Sequence, residues 1–226
     1  MSDEDNITQG NREAGHRIVQ VRNLGNSAFI LRFTRGAINF RAGQHIIVGL
    51  KGEIDQREYS VYSSEQDDHL EILLKEVKEG NISVKLKNCK PGDMLEVDGP
   101  FGSFGIEPSD LLTRKHVFIA TGTGISPFHS IIRSYPGIDY MLIHGTRYAN
   151  EAWEKQEFDP DRYFQCCSAD KCTGHNGRVT GFLSGFKTTP EMLFYLCGNG
   201  SMIYEVKHIL QDKGVSVQKI FSEIYF

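Results

Sequence analysis

Hydrophobic positions between His16 and Val97 recur in short runs, which predict strands over 17–22, 27–34, 44–50, 58–63, 69–77 and 94–97. Turn formers separate these runs: Gly25-Asn26, Gly36, Gly43, Lys51-Gly52, Asp67-Asp68 and Pro91-Gly92-Asp93. Six short strands at this spacing predict a small antiparallel barrel or sandwich. Between the fifth and sixth, Ile82, Val84 and Leu86 mark one short helix over 82–87.

After Gly99-Pro100-Phe101-Gly102-Ser103-Phe104-Gly105 the pattern changes. Apolar strands are predicted over 116–120, 140–144, 163–167, 192–197 and 219–222, with helices over 127–134, 150–158 and 201–211. Strands alternating with helices point to a parallel α/β layer. The expected organisation has a mobile polar N-terminus over 1–15 and an antiparallel β-barrel domain over 16–105. An α/β parallel-sheet domain of nucleotide-binding type follows over 106–226. No internal repeat or low-complexity segment interrupts it.

Composition narrows the function classes. At 39% hydrophobic and 24% charged residues the chain has an ordinary globular balance. A net charge of -4 lacks the basic footprint of nucleic-acid binding. No apolar run approaches a membrane span, and the acidic start Met1-Ser2-Asp3-Glu4-Asp5-Asn6 is unlike a secretory signal. Five cysteines, an odd number, do not suggest a disulfide framework. The cytoplasm is the expected location.

Candidate chemistry begins at Arg57-Glu58-Tyr59-Ser60. Strand alternation places Arg57 and Tyr59 on one face and Glu58 and Ser60 on the other. A guanidinium, a flat aromatic and a hydroxyl together suit a planar, phosphate-bearing ligand, though ordinary sheet surface carries the same residues. Gly80-Asn81-Ile82-Ser83 opens the short helix, where exposed N–H groups favour a phosphate. Thr121-Gly122-Thr123-Gly124-Ile125-Ser126-Pro127 follows a strand and opens a helix, with Ser126 as expected N-cap and Pro127 as first helical residue. The third glycine of the Rossmann fingerprint is absent. Arg147 follows the second α/β strand, where ligands bind in such sheets. Ser168 follows the third strand, and Arg178 lies beyond it.

Taken in order with Cys197-Gly198 and the acidic-aromatic C-terminus, these motifs resemble the ferredoxin–NADP reductase family from about residue 16 to residue 226. The resemblance implies a flavin-binding barrel, then a pyridine-nucleotide domain, with the two ligands meeting in the cleft between them. Arg57 would then hold the FAD pyrophosphate, Tyr59 pack on the isoalloxazine, and Ser60 hydrogen-bond near its reactive ring nitrogen. Gly80, Asn81, Ile82 and Ser83 would complete the FAD site. Thr121, Gly122, Thr123 and Gly198 would take the nicotinamide nucleotide. NADPH-using relatives place a serine, an adjacent arginine and a further arginine around the extra ribose phosphate. Ser168 and Arg178 match, Ala169 departs from the pattern, and Lys171 is the substitute, beside Arg147. Asp170 offers the opposite choice, an acid for the unphosphorylated ribose of NADH. Cys197 would approach the nicotinamide, unless it is simply a small buried residue. Glu223 is the candidate acid there, Phe226 would stack on FAD, and Tyr225 would line the same cleft, unless the aromatics only anchor the last strand.

Cys166, Cys167, Cys172 and His175 form a rival zinc-like set. Adjacent strand residues point to opposite faces, so Cys166 and Cys167 do not readily share a metal, and none is expected. No four-cysteine set has iron–sulfur spacing, so an iron–sulfur partner is a separate protein. The leading expectation is an FAD-dependent oxidoreductase passing electrons between NADP(H), or alternatively NAD(H), and ferredoxin or flavodoxin. It is expected to be a monomer with no membrane or nucleic-acid partner. Two alternatives stand beside it: a reductase component of an oxygenase or haem system (or a flavin reductase), and a flavin-holding subunit of a larger electron-transfer complex.

Overall fold

The structure is a computed structural model and describes residues 15–25, 28–77 and 81–225. Strands β1 (His16–Gly25), β2 (Ala28–Thr34), β3 (His45–Leu50), β4 (Gln56–Ser60), β5 (His69–Lys75) and β6 (Met94–Phe101) form one antiparallel sheet. Their order is β4-β3-β6-β1-β2-β5, the barrel-like half of the fold. Helix α1 (Asn81–Lys87) bridges β5 and β6, one residue longer than the apolar spacing predicts.

The continuous apolar run of β2 has a simple cause. Phe29, Leu31 and Phe33 join Leu70, Ile72 and Leu74 of β5 in the barrel core. Ala28 and Ile30 face the opposite way, into a second core shared with the rest of the chain. A strand buried on both faces has no solvent side to show as polar alternation.

The second sheet contains β7 (Lys115–Thr121), β8 (Tyr140–Thr146), β9 (Tyr163–Cys167), β10 (His175–Asn176), β11 (Met192–Asn199) and β12 (Ile220–Tyr225). All neighbours are parallel, in the order β10-β9-β8-β7-β11-β12. Helices α2 (Ser126–Ser134), α3 (Val179–Ser184) and α4 (Gly200–Asp212) cover it. Alternation along β7 and β11 divides the burial. Phe118, Ala120, Tyr195 and Cys197 face the shared core, while Val117, Ile119, Phe194 and Leu196 face α3 and α4. No helix of the described residues is long and apolar enough to cross a membrane.

Four expectations are corrected. The helix over 150–158 is two single 3-10 turns, Ala149–Glu151 and Lys155–Glu157, separated where Glu154 takes a left-handed φ of 54°. Ser126 is not the N-cap of α2. A 3-10 turn over Gly122–Ile125 runs into the helix, Ile125 holds the cap position, and the Ser126 hydroxyl donates to the Thr123 carbonyl. Strand β4 ends at Ser60: the Val61 N–H still donates to the Gln44 carbonyl, the Tyr62 N–H turns to Glu71 of β5, and the Tyr62 and Ser63 carbonyls accept from α2. Strand β6 extends through Phe101, so Gly99 and Pro100 belong to it.

That departure after Ser60 builds the seam between the sheets. Tyr62 stacks on His129 of α2, ring centroids 3.6 Å apart and planes within 4°. The His129 Nδ1–H donates to the Tyr62 carbonyl at 2.7 Å, and the Ser130 hydroxyl donates to the Ser63 carbonyl at 2.6 Å. The Tyr62 hydroxyl donates to buried Glu154 at 3.0 Å, and Arg22 of β1 pairs with the other oxygen of that carboxylate. Burial, and then Glu154 beside it, push the Tyr62 phenol well above its ordinary value.

Candidate functional site

Two grooves flank this seam. The first, about 640 Å³, lies against β4 and is lined by Arg57, Tyr59, Ser60, Ile82, Ser83 and Glu223, among others. The Arg57 guanidinium donates to its neighbouring Gln56 carbonyl, and among the described residues no carboxylate pairs with it. An exposed cation without a counter-charge suits an anionic ligand group. Tyr59 is half-buried beside it, and burial pushes its phenol up to about 12 against the pull of Arg57. Ile82 and Ser83 reach this wall as the first turn of α1, while Asn81 is exposed at its start.

At the inner end of this groove, side chains from three strands meet. The Ser60 hydroxyl donates to one oxygen of Glu223 at 3.1 Å. His45 Nδ1 lies 3.4 Å from the other oxygen. Antiparallel pairing sets His45 opposite Ser60, and parallel pairing sets Glu223 beside Cys197. Burial raises the Glu223 carboxyl above its ordinary value, partly opposed by His45 and Ser60. Cys197 is fully buried in the shared core, its thiol pushed well up by burial and then by Glu223, and it lines neither groove.

The second groove, about 700 Å³, opens at the C-terminal ends of β7, β8, β9 and β11. There the chain has turned from β7 to β8 on one side and later to β11 on the other, the usual ligand position in open α/β sheets. Thr121, Gly122, Thr123, Arg147, Ser168, Arg178 and Gly198 all line it. Two glycines allow the close packing beneath: a Cβ on Gly124 would sit 2.4 Å from the Cys197 carbonyl oxygen, and one on Gly198 would sit 2.3 Å from the Thr121 hydroxyl. Arg147 and Arg178 have no carboxylate partner among the described residues. Lys171 is exposed and stands outside the lining. Asp170 is turned onto local backbone, accepting from the Lys171 and Ala149 N–H groups.

Several residues here escape sequence reasoning. His144, fully buried, donates from Nε2 to the Gly122 carbonyl at 3.0 Å and accepts from the Tyr163 hydroxyl at 2.8 Å. Burial lowers this imidazole to about 4, so the neutral ring braces the Thr121–Thr123 loop. Lys75, at the end of β5, lines both grooves and pairs with Glu151 at 2.7 Å. Glu151 also accepts the Arg147 and Tyr148 N–H groups, and these contacts with Lys75 outweigh burial and hold its carboxyl low. Thr123 is likewise common to both walls. No local motif marks His45, Lys75 or His144, since their partners lie across strands.

Gly80 and Phe226 lie outside the described residues, as do residues 1–14 of the expected mobile N-terminus. Of the zinc-like set, Cys167 and Cys172 lie within hydrogen-bonding reach of each other, but among the described residues no third member joins them within metal-ligand reach. Cys172 Sγ faces the carbonyls of Gln165 and His175. Among the described residues the one cluster within metal-ligand reach is His129, Glu154 and Glu157, in the seam, where Arg22 and Tyr62 already hold Glu154.

Residues 17–106 match the oxidoreductase FAD-binding domain family. A ferredoxin–NADP reductase of Azotobacter vinelandii is 28% identical over 240 residues, covering 92% of each chain. The reductase component 1 of terephthalate 1,2-dioxygenase from Comamonas is 27% identical over 202 residues; the match covers 82% of this chain and 59% of that protein's length. The fold also superposes on the crystal structure of a ferredoxin NADP+ reductase from Neisseria gonorrhoeae with bound FAD and NADP. The TM-score is 0.81 at 24% identity, covering 94% of this chain and 98% of that one.

Proposed function

We propose that this chain is an oxidoreductase of the ferredoxin–NADP reductase type, which couples NADP(H) to a one-electron carrier through FAD. The observation that supports this most is the pair of adjoining grooves sharing Thr123 and Lys75, one shaped for each ligand. FAD fits the donor set of the first groove. Arg57, free of carboxylates, would hold its pyrophosphate, with Asn81, Ile82 and Ser83 beside it, and Tyr59 and Ser60 would meet its ring system. Bound there, FAD supplies the exchange between hydride and single-electron chemistry.

The protein's own contribution is placement and protons. The Thr121–Thr123 loop and Gly198 would hold the nucleotide diphosphate, and Arg147, Arg178 and Ser168 its extra phosphate. Asp170 is engaged with backbone, which favours NADP(H) over NAD(H). Ser60, backed by Glu223, would carry a proton at the inner wall. Cys197 would act from beneath Gly198 as packing. Position 105/106, between β6 and β7, is our proposed domain boundary.

The test is anaerobic titration of the purified protein with NADPH and, separately, NADH. Bleaching of flavin absorbance by NADPH in strong preference to NADH is the expected result. A protein that binds no flavin would end this reading. Ferredoxin or flavodoxin is the carrier we favour, after the Azotobacter relative. The likeness to an oxygenase reductase component favours a second reading, in which an oxygenase system receives the electrons. Turnover with ferredoxin, flavodoxin, cytochrome c and free flavin separates the two.

A further inference from the structure

Two cysteines come together at the end of a strand that feeds the second groove. Cys167 is the last residue of β9 and is buried, its Sγ 3.5 Å from the Thr146 hydroxyl of β8. The next residue, Ser168, lines the groove. The chain then makes a short excursion over 168–174 and returns as β10, where Asn176 pairs with Cys167. That excursion is pressed onto β9. A Cβ on Gly174 would sit 2.2 Å from the Gln165 carbonyl oxygen, and the Asn176 side chain accepts the Cys172 N–H at 3.0 Å. These contacts bring Cys172 back to the strand end, where its thiol lies within hydrogen-bonding reach of the Cys167 thiol.

The two sulfurs differ in access. Cys172 is partly exposed, whereas Cys167 is buried, and burial followed by the Cys172 thiol pushes its own thiol up to about 11. In such a pair the outer sulfur meets an oxidant and the inner one condenses with the product. Cys166 is turned to the opposite face of β9, into the core against α3 and α4. Cys89, just after α1, and Cys197, on β11, belong to other elements.

We propose that Cys167 and Cys172 form a reversible disulfide, which closes around Ser168–Lys171 and weakens the hold of the second groove on the extra phosphate of NADP(H). The bond is independent of the flavoenzyme reading, and its effect on NADP(H) rests on that reading. The oxidant is hydrogen peroxide. The Cys172 thiolate attacks one peroxide oxygen, the O–O bond breaks, and hydroxide leaves with the thiol proton as water. The Cys167 sulfur then attacks the sulfenic sulfur of Cys172, the S–O bond breaks, and a second water leaves with the Cys167 proton. One peroxide and two thiols thus give one disulfide and two waters. A dithiol reverses the step by exchange, becoming a disulfide itself. Bonded sulfurs stand about 2 Å apart. Cys172 therefore swings away from the Gln165 and His175 carbonyls, which its Sγ now faces at 3.9 and 3.6 Å. The closed ring draws on Ser168, whose hydroxyl now donates to the Thr146 carbonyl at 3.3 Å beside the groove.

The test treats the purified protein with hydrogen peroxide at about pH 8.5, where an ordinary thiol is half ionised. Remaining thiols are alkylated after unfolding and the chain is digested without reductant. Cleavage after Lys171 leaves the two cysteines on separate peptides, so a cross-link is seen directly by mass. The expected product joins Cys167 to Cys172, disappears with dithiothreitol, and leaves Cys166 alkylated. Calorimetric titration of both forms with NADP+ and NAD+ reads the consequence. Oxidation should weaken NADP+ binding about tenfold, with NAD+ unmoved and full recovery after dithiothreitol. Cys172→Ser should bind NADP+ as the reduced wild type does and ignore peroxide, and Cys172→Ala serves where the Ser variant does not fold. A cross-link through Cys166, or oxidised Cys172 without a cross-link, overturns the disulfide. A Cys167–Cys172 bond with unaltered NADP+ affinity overturns its control of the groove. A protein that forms the bond but binds NADP+ in neither state overturns the nucleotide reading of the groove and supports the disulfide alone.

Discussion

One short stretch, Gln56 to Glu65, makes both the open cleft and the closed seam, and the two halves treat charge in opposite ways. From Tyr62 onward each polar group named in the seam meets a partner: Tyr62 with His129 and Glu154, Ser63 with Ser130, Glu65 with Ser134 and Tyr135. Before Ser60 the guanidinium of Arg57 has no carboxylate, and across the neighbouring groove Arg147 and Arg178 also lack one. A buried unpaired charge is expensive, so the seam closes its accounts within the protein. An exposed one is tolerable, and it remains available for a phosphate. In the proposed function, the seam therefore carries stability and the cleft recognition.

Breaking the seam should give the largest effect. Glu154→Ala leaves Arg22 and the Tyr62 hydroxyl without their acceptor, and a loss of about 2–3 kcal/mol is expected. Denaturant unfolding followed by circular dichroism measures it, and an unchanged midpoint would remove the seam from the stability account. Next in size, Arg178→Ala should weaken NADPH binding about tenfold, the worth of one charge-assisted contact. NADH binding and the unfolding midpoint should both hold. Equal losses for the two nucleotides would mean that Arg178 does not read the extra phosphate.

The smallest effect is also the most diagnostic, because the regions should titrate with opposite signs. The His129 hydrogen bond holds Glu157 below its ordinary value of 4.5. Its contribution is full above that value and is lost as pH falls through the folded one. Glu223 is raised by burial, so its contribution is present in acid and is lost as pH rises through its folded value. Glu157→Gln should flatten the acid limb of the stability–pH curve, and Glu223→Gln should flatten the limb above it. Urea midpoints across that range read both changes.

Much of this architecture is legible in the sequence because burial imposes period. Strand β9 matches its predicted range, 163–167, and β7, β8 and β11 fall within two residues of theirs. Periodicity fails where tertiary contact takes over. Asn150–Phe158 has helical spacing, yet Trp153 is buried and Glu154 is held in a left-handed conformation by Arg22 and Tyr62, which breaks the helix. Strand β10, only His175 and Asn176, is too short to carry a pattern, and α3 contains glycine and threonine in six residues. In the grooves, motif order locates Arg57, Ser60, Thr121 and Arg178. His45 is invisible because it meets Ser60 through strand register and Glu223 only when the last strand joins the second sheet.

Lys75 carries a consequence for affinity itself. Its ammonium belongs to the walls of both grooves, and its tether to Glu151 reaches the backbone of Arg147. A ligand in one groove that draws this ammonium toward itself changes the electrostatic landscape met by a ligand in the other. Linkage then requires the effect to be mutual: whatever factor the first ligand imposes on the second, the second imposes on the first. The two grooves are in this sense a single thermodynamic unit, and order of addition cannot alter the affinity of the fully loaded state.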